Sequence, residues 1–230
     1  MSSLPWLHDH DFEFPDPSTA LREPNGLLAA GGSLAPERLI EAYSKGIFPW
    51  YETGQPILWW TPDPRMVLFP EALHVSRSLA KNLRKTPWRI SNDEEFRDVI
   101  SACAGARTNA RGTWITPDMI DAYCTLHTMG VAHSIEVWDE DALVGGLYGL
   151  AIGDVFFGES MFSQQDNAAK FAFAWLVPKL AALDYHLIDC QVSSPFLAGF
   201  GAREIARAEF MTLLPKSAEY GRNRAHWPLQ

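Results

Sequence analysis

Paired cysteines, long apolar runs and an excess of positive charge are all missing from this chain. Its three cysteines, Cys103, Cys124 and Cys190, are odd in number and far apart. That excludes a disulfide framework and a paired-cysteine zinc site, and reduced thiols are expected. No stretch approaches the roughly 18 to 20 apolar residues of a membrane span. The start, Met1-Ser2-Ser3-Leu4-Pro5-Trp6, has no basic region ahead of an apolar one, so a cytoplasmic protein without a membrane partner is expected. None of the seven His falls at metal-ligand spacing, and no phosphate loop or dinucleotide fingerprint occurs. With 19 Lys and Arg against 28 Asp and Glu, the net charge of -9 argues against sequence-independent coating of nucleic acid.

What is present suits one large domain or a small domain joined to a larger one: 230 residues, rich in large flat side chains, including nine Trp. The first stretch is dense in Pro and Trp, which predicts a small N-terminal domain over 1–66 and a larger one over 67–230. Pro36 opens a helix running to about Tyr43, with Gly46 as its stop. Ile57-Leu58-Trp59-Trp60 reads as a buried strand closed by the turn Pro62-Asp63-Pro64. Asn92 or Asp93 caps a helix to about Cys103, followed by a polar loop from Ala104 to Gly112. Thr116, Pro117 and Gly130 punctuate the next helix. The period then changes to two: His133–Val137, Leu143–Tyr148 and Val155–Phe157 read as consecutive antiparallel strands. A helix from about Asn167 to Leu183, kinked at Pro178, leads to a last strand over Leu187–Gln191. That order describes an α+β layered fold.

Several groups bear chemistry. Strand alternation puts Asp189 and Gln191 on one face and Ile188 and Cys190 on the other. A carboxylate beside a carboxamide can orient an amine and donate to an oxygen gaining charge, or it can simply tie down a loop. Glu159, in Gly158-Glu159-Ser160-Met161-Phe162 after a strand, is either a holder of a cation or a surface carboxylate at a turn. Leu147, Met161, Phe173, Leu176 and Ile188 line one cavity or pack as ordinary core. Gly145-Gly146 predicts a bulge or a close backbone approach. Trp50, Trp59, Trp60 and Trp114 are core or stacking platforms for bases. Arg77, Lys81, Arg84 and Lys85, at i, i+4, i+7, i+8, form one basic stripe, which is a phosphate track or a solvated helix face.

Ordered motifs spanning nearly the whole chain resemble the leucyl/phenylalanyl-tRNA–protein transferase family. They include Phe14-Pro15-Asp16-Pro17, Arg22-Glu23-Pro24-Asn25-Gly26-Leu27-Leu28-Ala29, Gly46-Ile47-Phe48-Pro49-Trp50 and Ile57-Leu58-Trp59-Trp60-Thr61-Pro62-Asp63-Pro64-Arg65. Gly112-Thr113-Trp114-Ile115-Thr116, His133-Ser134-Ile135-Glu136-Val137-Trp138, Val144-Gly145-Gly146-Leu147-Tyr148-Gly149, Gly158-Glu159-Ser160-Met161-Phe162-Ser163 and Ile188-Asp189-Cys190-Gln191 complete the set. The resemblance implies a GNAT-like (acetyltransferase-like) larger domain, with a mixed, mostly antiparallel sheet flanked by helices.

It also implies an aminoacyltransferase that moves Leu or Phe, and less readily Met, from aminoacyl-tRNA to the N-terminal amine of proteins beginning with Lys or Arg. Such products are marked for N-end rule degradation. A monomer is assumed, and because an aminoacyl-tRNA ester is already activated, no cofactor and no metal are expected. Asp189 and Gln191 are the implied catalytic pair, the carboxylate polarising the carboxamide so that it helps the attacking amine lose its proton, and Glu159 helps bind the basic acceptor terminus. Leu147, Met161, Phe173, Leu176 and Ile188 receive the aminoacyl side chain. Trp50 and Trp114 meet the terminal adenosine and aminoacyl group, and Arg77, Lys81, Arg84 and Lys85 face the tRNA backbone. Two positions depart from the family pattern: Phe196 stands where a His is usual, and Ala169 where a Ser precedes Lys170. Two rivals remain. A coenzyme A-dependent acetyltransferase needs a glycine-rich pyrophosphate loop, whereas Met161–Lys170 holds no glycine. A catalytically silent tRNA-binding relative would bind but not transfer.

Overall fold

The computed structural model describes residues 4–108 and 114–215. Two sheets organise them. The first contains β1 (Trp6–Leu7), β2 (Leu27–Gly31), β3 (Phe48–Pro49) and β4 (Leu58–Trp60), in the order β1-β2-β4-β3. Between β2 and β3 lies α1 (Pro36–Ser44), with Pro36 in its first turn and Leu39, Ile40 and Tyr43 buried.

The second sheet begins with β5 (Arg65–Leu68). It is followed by α2 (Arg77–Leu83), β6 (Arg89–Asn92), α3 (Phe96–Thr108), α4 (Pro117–Thr128), β7 (Ala132–Asp139), β8 (Ala142–Ile152) and β9 (Val155–Ser163). The chain continues through α5 (Ala168–Ala182), β10 (Leu187–Gln191), α6 (Pro195–Ala198), β11 (Arg203–Ile205) and α7 (Arg207–Leu213). The seven strands run β11-β5-β10-β9-β8-β7-β6. Neighbours are antiparallel except β9 and β10, so the sheet is mixed and mostly antiparallel, as the α+β reading expects. One face carries Val99 and Ile100 of α3 and Met119, Tyr123 and Leu126 of α4 against Tyr148, Leu150 and Phe157. The other carries Ala172, Phe173, Leu176 and Val177 of α5 against Ile135, Val137, Leu147 and Phe156. Among the described residues no helix is long and apolar enough to cross a membrane.

Three expectations change. Asn92 ends β6 and α3 begins only at Phe96, so neither Asn92 nor Asp93 caps it. The third helix continues from Cys103 to Thr108, through residues read as loop; the rest of that loop, 109–113, lies outside the described residues. Burial of Val99, Ile100 and Cys103 along the helix outweighs the cost of about 1 kcal/mol for Gly105 in a helix interior. The third hairpin strand likewise runs past Phe157 to Ser163. The expected docking partner of Gly145 is the chain itself. A Cβ at Gly145 would lie 2.4 Å from the Ala168 Cβ, so glycine lets the start of α5 approach the sheet.

Candidate active site

Strands β9 and β10 pair only as far as Asp189 opposite Phe157. Beyond that point each carries one extra residue. Against β8, Tyr148 faces Ser160 and Gly149 faces Gly158, leaving Glu159 unopposed. Against β5, Asp189 faces Val67 and Gln191 faces Met66, leaving Cys190 unopposed. Bulges bend a strand and re-aim its side chains. Gln191 also takes a left-handed backbone, φ 64°. The two strands therefore stop pairing beyond Asp189 and Phe157, and the Glu159 and Gln191 side chains bridge the place where the ladder ends. Glycine is required at the first bulge, because a Cβ on Gly149 would lie 2.3 Å from the Phe157 carbonyl oxygen.

Asp189 is fully buried and does not touch the Gln191 carboxamide. Its Oδ1 accepts hydrogen bonds from Arg65 Nε at 2.8 Å and from the Gln191 main-chain N–H at 2.9 Å, and its Oδ2 accepts from Arg65 Nη2 at 2.6 Å. The Arg65 guanidinium lies between the rings of Phe48 and Phe210. The direct carboxylate–carboxamide contact expected from the sequence is thus replaced by one through the backbone. The Gln191 carboxamide goes elsewhere: Nε2 donates to Glu159 Oε1 at 2.6 Å.

Glu159 is buried inside β9, not exposed at a strand end. Tyr43 donates its hydroxyl to Oε1 at 2.7 Å, Tyr123 reaches Oε2 at 3.3 Å, and the two tyrosine hydroxyls bond one another. Burial pushes the Glu159 carboxyl up to about 7; hydrogen bonds from Tyr43 and Gln191 oppose the rise and the negative charge of Asp189 adds to it. Burial, reinforced by the nearby Glu159 charge, also holds both tyrosines well above their ordinary value, so they remain hydroxyl donors. Cys190 is likewise pushed up by burial, against any role as a thiolate nucleophile.

A cavity of about 460 Å³ opens beside this cluster. Leu147, Met161, Phe173 and Ile188 line it as expected, joined by Phe156 and Phe196, with Glu159, Asp189 and Gln191 on its wall. Leu176 does not line it; it is fully buried in the layer that packs α5 on the sheet. A smaller space of about 90 Å³ is lined by Phe48, Pro49, Trp50, Trp114, Glu159, Gln191 and Val192. Trp50 and Trp114 therefore line one space, and Glu159 and Gln191 belong to both spaces. Trp50 is 43% exposed and is braced by Trp60, whose indole N–H donates to the Trp50 carbonyl at 2.7 Å.

The basic stripe is formed in part. Arg77 and Lys81 lie on α2, Arg84 caps it and Lys85 follows its end; all four are exposed, and among the described residues none is in an ion pair. Among the described residues no three His, Cys, Asp or Glu gather as a metal would require. Arg65, Tyr43, Tyr123 and Phe156 are site residues that sequence reasoning did not single out. Arg65 had the best available signal, a cation closing Pro62-Asp63-Pro64 inside a quoted motif, but its partner lies 124 residues away.

A family model described as leucyl/phenylalanyl-tRNA protein transferase matches residues 67–215, and one described as its N-terminal domain matches 32–63. A leucyl/phenylalanyl-tRNA–protein transferase of Stutzerimonas stutzeri (strain A1501) is 59% identical over 211 residues, covering 92% of this chain and 93% of the relative. A protein of the same name from Ectopseudomonas mendocina (strain ymp) is 57% identical over 224 residues, covering 97% and 99%. Among solved structures, a GCN5-related N-acetyltransferase from Kribbella flavida shares 11% identity at a TM-score of 0.40, over 72% of this chain and 59% of that one.

Proposed function

Because the chain belongs to the leucyl/phenylalanyl-tRNA–protein transferase family, we propose that it moves Leu or Phe, and less readily Met, from aminoacyl-tRNA to the α-amine of proteins beginning with Lys or Arg, marking them for N-end rule degradation. The supporting observation is that Glu159 and Gln191 stand between a large apolar cavity and a smaller tryptophan-lined one. A donor's side chain fits the first, and its terminal adenosine stacks on Trp50 and Trp114 beside the second, which brings the ester carbonyl next to Glu159 and Gln191. The ester is already activated, so the protein's work is to position the amine and stabilise the developing oxyanion.

In this reading Leu147, Met161, Phe173 and Ile188 receive the aminoacyl side chain. The Met-containing wall adapts to Leu and Phe, while Ile and Val carry bulk nearer the reacting carbon. Trp50 and Trp114 hold the adenosine. Gln191 keeps one amide hydrogen free of Glu159 and offers it to the oxyanion. Asp189, held by Arg65, fixes the Gln191 backbone, and Glu159 receives the acceptor's amino group. Arg77, Lys81, Arg84 and Lys85 meet the tRNA backbone. The division at 66/67 into a small N-terminal and a larger catalytic domain, a cytoplasmic location and a monomeric state belong to the same proposal.

The test mixes the protein with labelled leucyl-tRNA and two model acceptors, one with a free N-terminal Arg and one with an N-terminal acetyl-Arg. Label should pass only to the first; label on both, or on neither, contradicts the reading.

A further inference from the structure

Asp189 is closed to proton traffic. It is fully buried, and its oxygens already accept two guanidinium hydrogens and one main-chain N–H. Glu159 is placed differently. It lines both cavities, and its Oε2 has only the long 3.3 Å contact with Tyr123, while Oε1 is occupied by Tyr43 and Gln191. We propose that the Glu159 carboxylate is the general base of the transfer, its Oε2 taking a proton from the acceptor's α-ammonium group.

This assignment rests on the donor and acceptor placement given above and extends it. The acceptor arrives as an ammonium ion beside the carboxylate, and one proton moves from nitrogen to Oε2, leaving a neutral amine with its lone pair. The nitrogen attacks the ester carbonyl carbon. A C–N bond forms, and the carbonyl π pair moves onto oxygen, where the free Gln191 amide hydrogen donates. The intermediate collapses as the C–O bond to the ribose breaks, and the second proton lost by nitrogen goes to the ribose oxygen. The products are a peptide amide, tRNA with a free hydroxyl, and protonated Glu159, which returns its proton to water. No further reactant enters.

The surroundings suit the role. Tyr43 faces Glu159 from α1, Tyr123 from α4, and Gln191 and Asp189 from β10, with Arg65 of β5 pairing the Asp189 charge. The tyrosines are held as hydroxyls and Asp189 is occupied by Arg65, so Glu159 is the carboxylate in this cluster with an oxygen to spare. Its carboxyl, raised by burial to about 7, lies close to the α-amine range of about 7.7 to 8.0, so the proton moves with little uphill cost.

The test measures single-turnover transfer from phenylalanyl-tRNA to an Arg-ended peptide between pH 6 and 9, for wild type, Glu159→Gln and Glu159→Asp. An aminooxy-ended analogue, whose reacting nitrogen is neutral throughout, serves as a second acceptor. Glu159→Gln should be slower by about 10²-fold or more at the acid end. The deficit should shrink as pH rises and nearly vanish with the aminooxy acceptor. Glu159→Asp should keep the wild-type pH shape at a lower rate. Unchanged affinity for phenylalanyl-tRNA reports that each variant is folded. A deficit equal at every pH and for both acceptors, no deficit at all, or a flat Glu159→Asp profile overturns the base assignment while leaving the transferase reading intact. Wild type transferring nothing to the Arg peptide removes the transferase reading itself, and the base with it.

Discussion

Arg65 grips Asp189 through two parallel hydrogen bonds, Nε to Oδ1 at 2.8 Å and Nη2 to Oδ2 at 2.6 Å, with both side chains fully removed from water. The grip joins β5 to β10, and Asp189 passes it on to the main-chain N–H of Gln191. Removing one partner strands a buried charge. Arg65→Met should therefore lower unfolding stability by about 3 to 5 kcal/mol. Replacing both, as Arg65→Met with Asp189→Leu, should cost less than the two single changes together. Urea unfolding of the four proteins checks this, and strictly additive losses would contradict it.

Asp189→Ala and Gln191→Ala should depress transfer far more than tRNA binding. Loss of one oxyanion donor typically lowers the chemical rate about 10²- to 10³-fold, the range expected for Gln191→Ala. Filter binding of phenylalanyl-tRNA alongside single-turnover rates separates the two effects. Turnover like wild type in both variants would remove the pair from the mechanism.

In the proposed reading the larger cavity sets donor choice through its volume. Ala169, buried on α5 and part of the wall, is small where bulk would intrude. Ala169→Leu should reduce use of Phe more than use of Leu, by about tenfold or more in the ratio of kcat/KM values. An unchanged ratio in competition between the two charged tRNAs would place the donor side chain elsewhere.

Charge reversal at Arg77 and Lys81 should weaken tRNA binding and make its salt dependence shallower, by about one to two units in the slope of log affinity against log salt. Identical affinity at low salt would reduce the stripe to a solvated helix face.

Glu159 also links stability to pH. Its carboxyl lies near 7 in the folded protein, above the unfolded value of about 4.3. The folded state therefore binds the extra proton between these values. The stability it contributes is complete below about pH 4 and declines as pH rises to about 7, by roughly 4 kcal/mol in all. Glu159→Gln does not titrate. Its stability relative to wild type should accordingly improve as pH is raised from 5 to 8, read by urea unfolding; a constant difference would contradict the raised carboxyl.

The sequence carried the element order well where a local signal existed. Thr116 caps α4, accepting from the Met119 N–H, and Pro117 opens it, as their spacing indicates. Alternation located β7, β8, β9 and β10, and Leu147, Met161, Phe173 and Ile188 do share one cavity. The features that shape the site are relations between distant segments and leave no local trace. A bulge at Glu159 or Cys190 is a mismatch of counts between two strands, invisible in either one alone. The Arg65–Asp189 and Tyr43–Glu159 contacts join residues 124 and 116 positions apart. Leu176 has the same chemistry as its cavity-lining neighbours but turns into the packed layer, a choice made by the rotation of α5.

The most direct test is a crystal structure with a non-reactive donor, phenylalanine joined through an amide to 3′-amino-3′-deoxyadenosine. The account places its phenyl ring among Leu147, Met161, Phe173 and Ile188, its adenine against Trp50 and Trp114, and its carbonyl oxygen within hydrogen-bonding reach of Gln191 Nε2. An analogue seated elsewhere, with the two spaces beside Glu159 and Gln191 left empty, would contradict it.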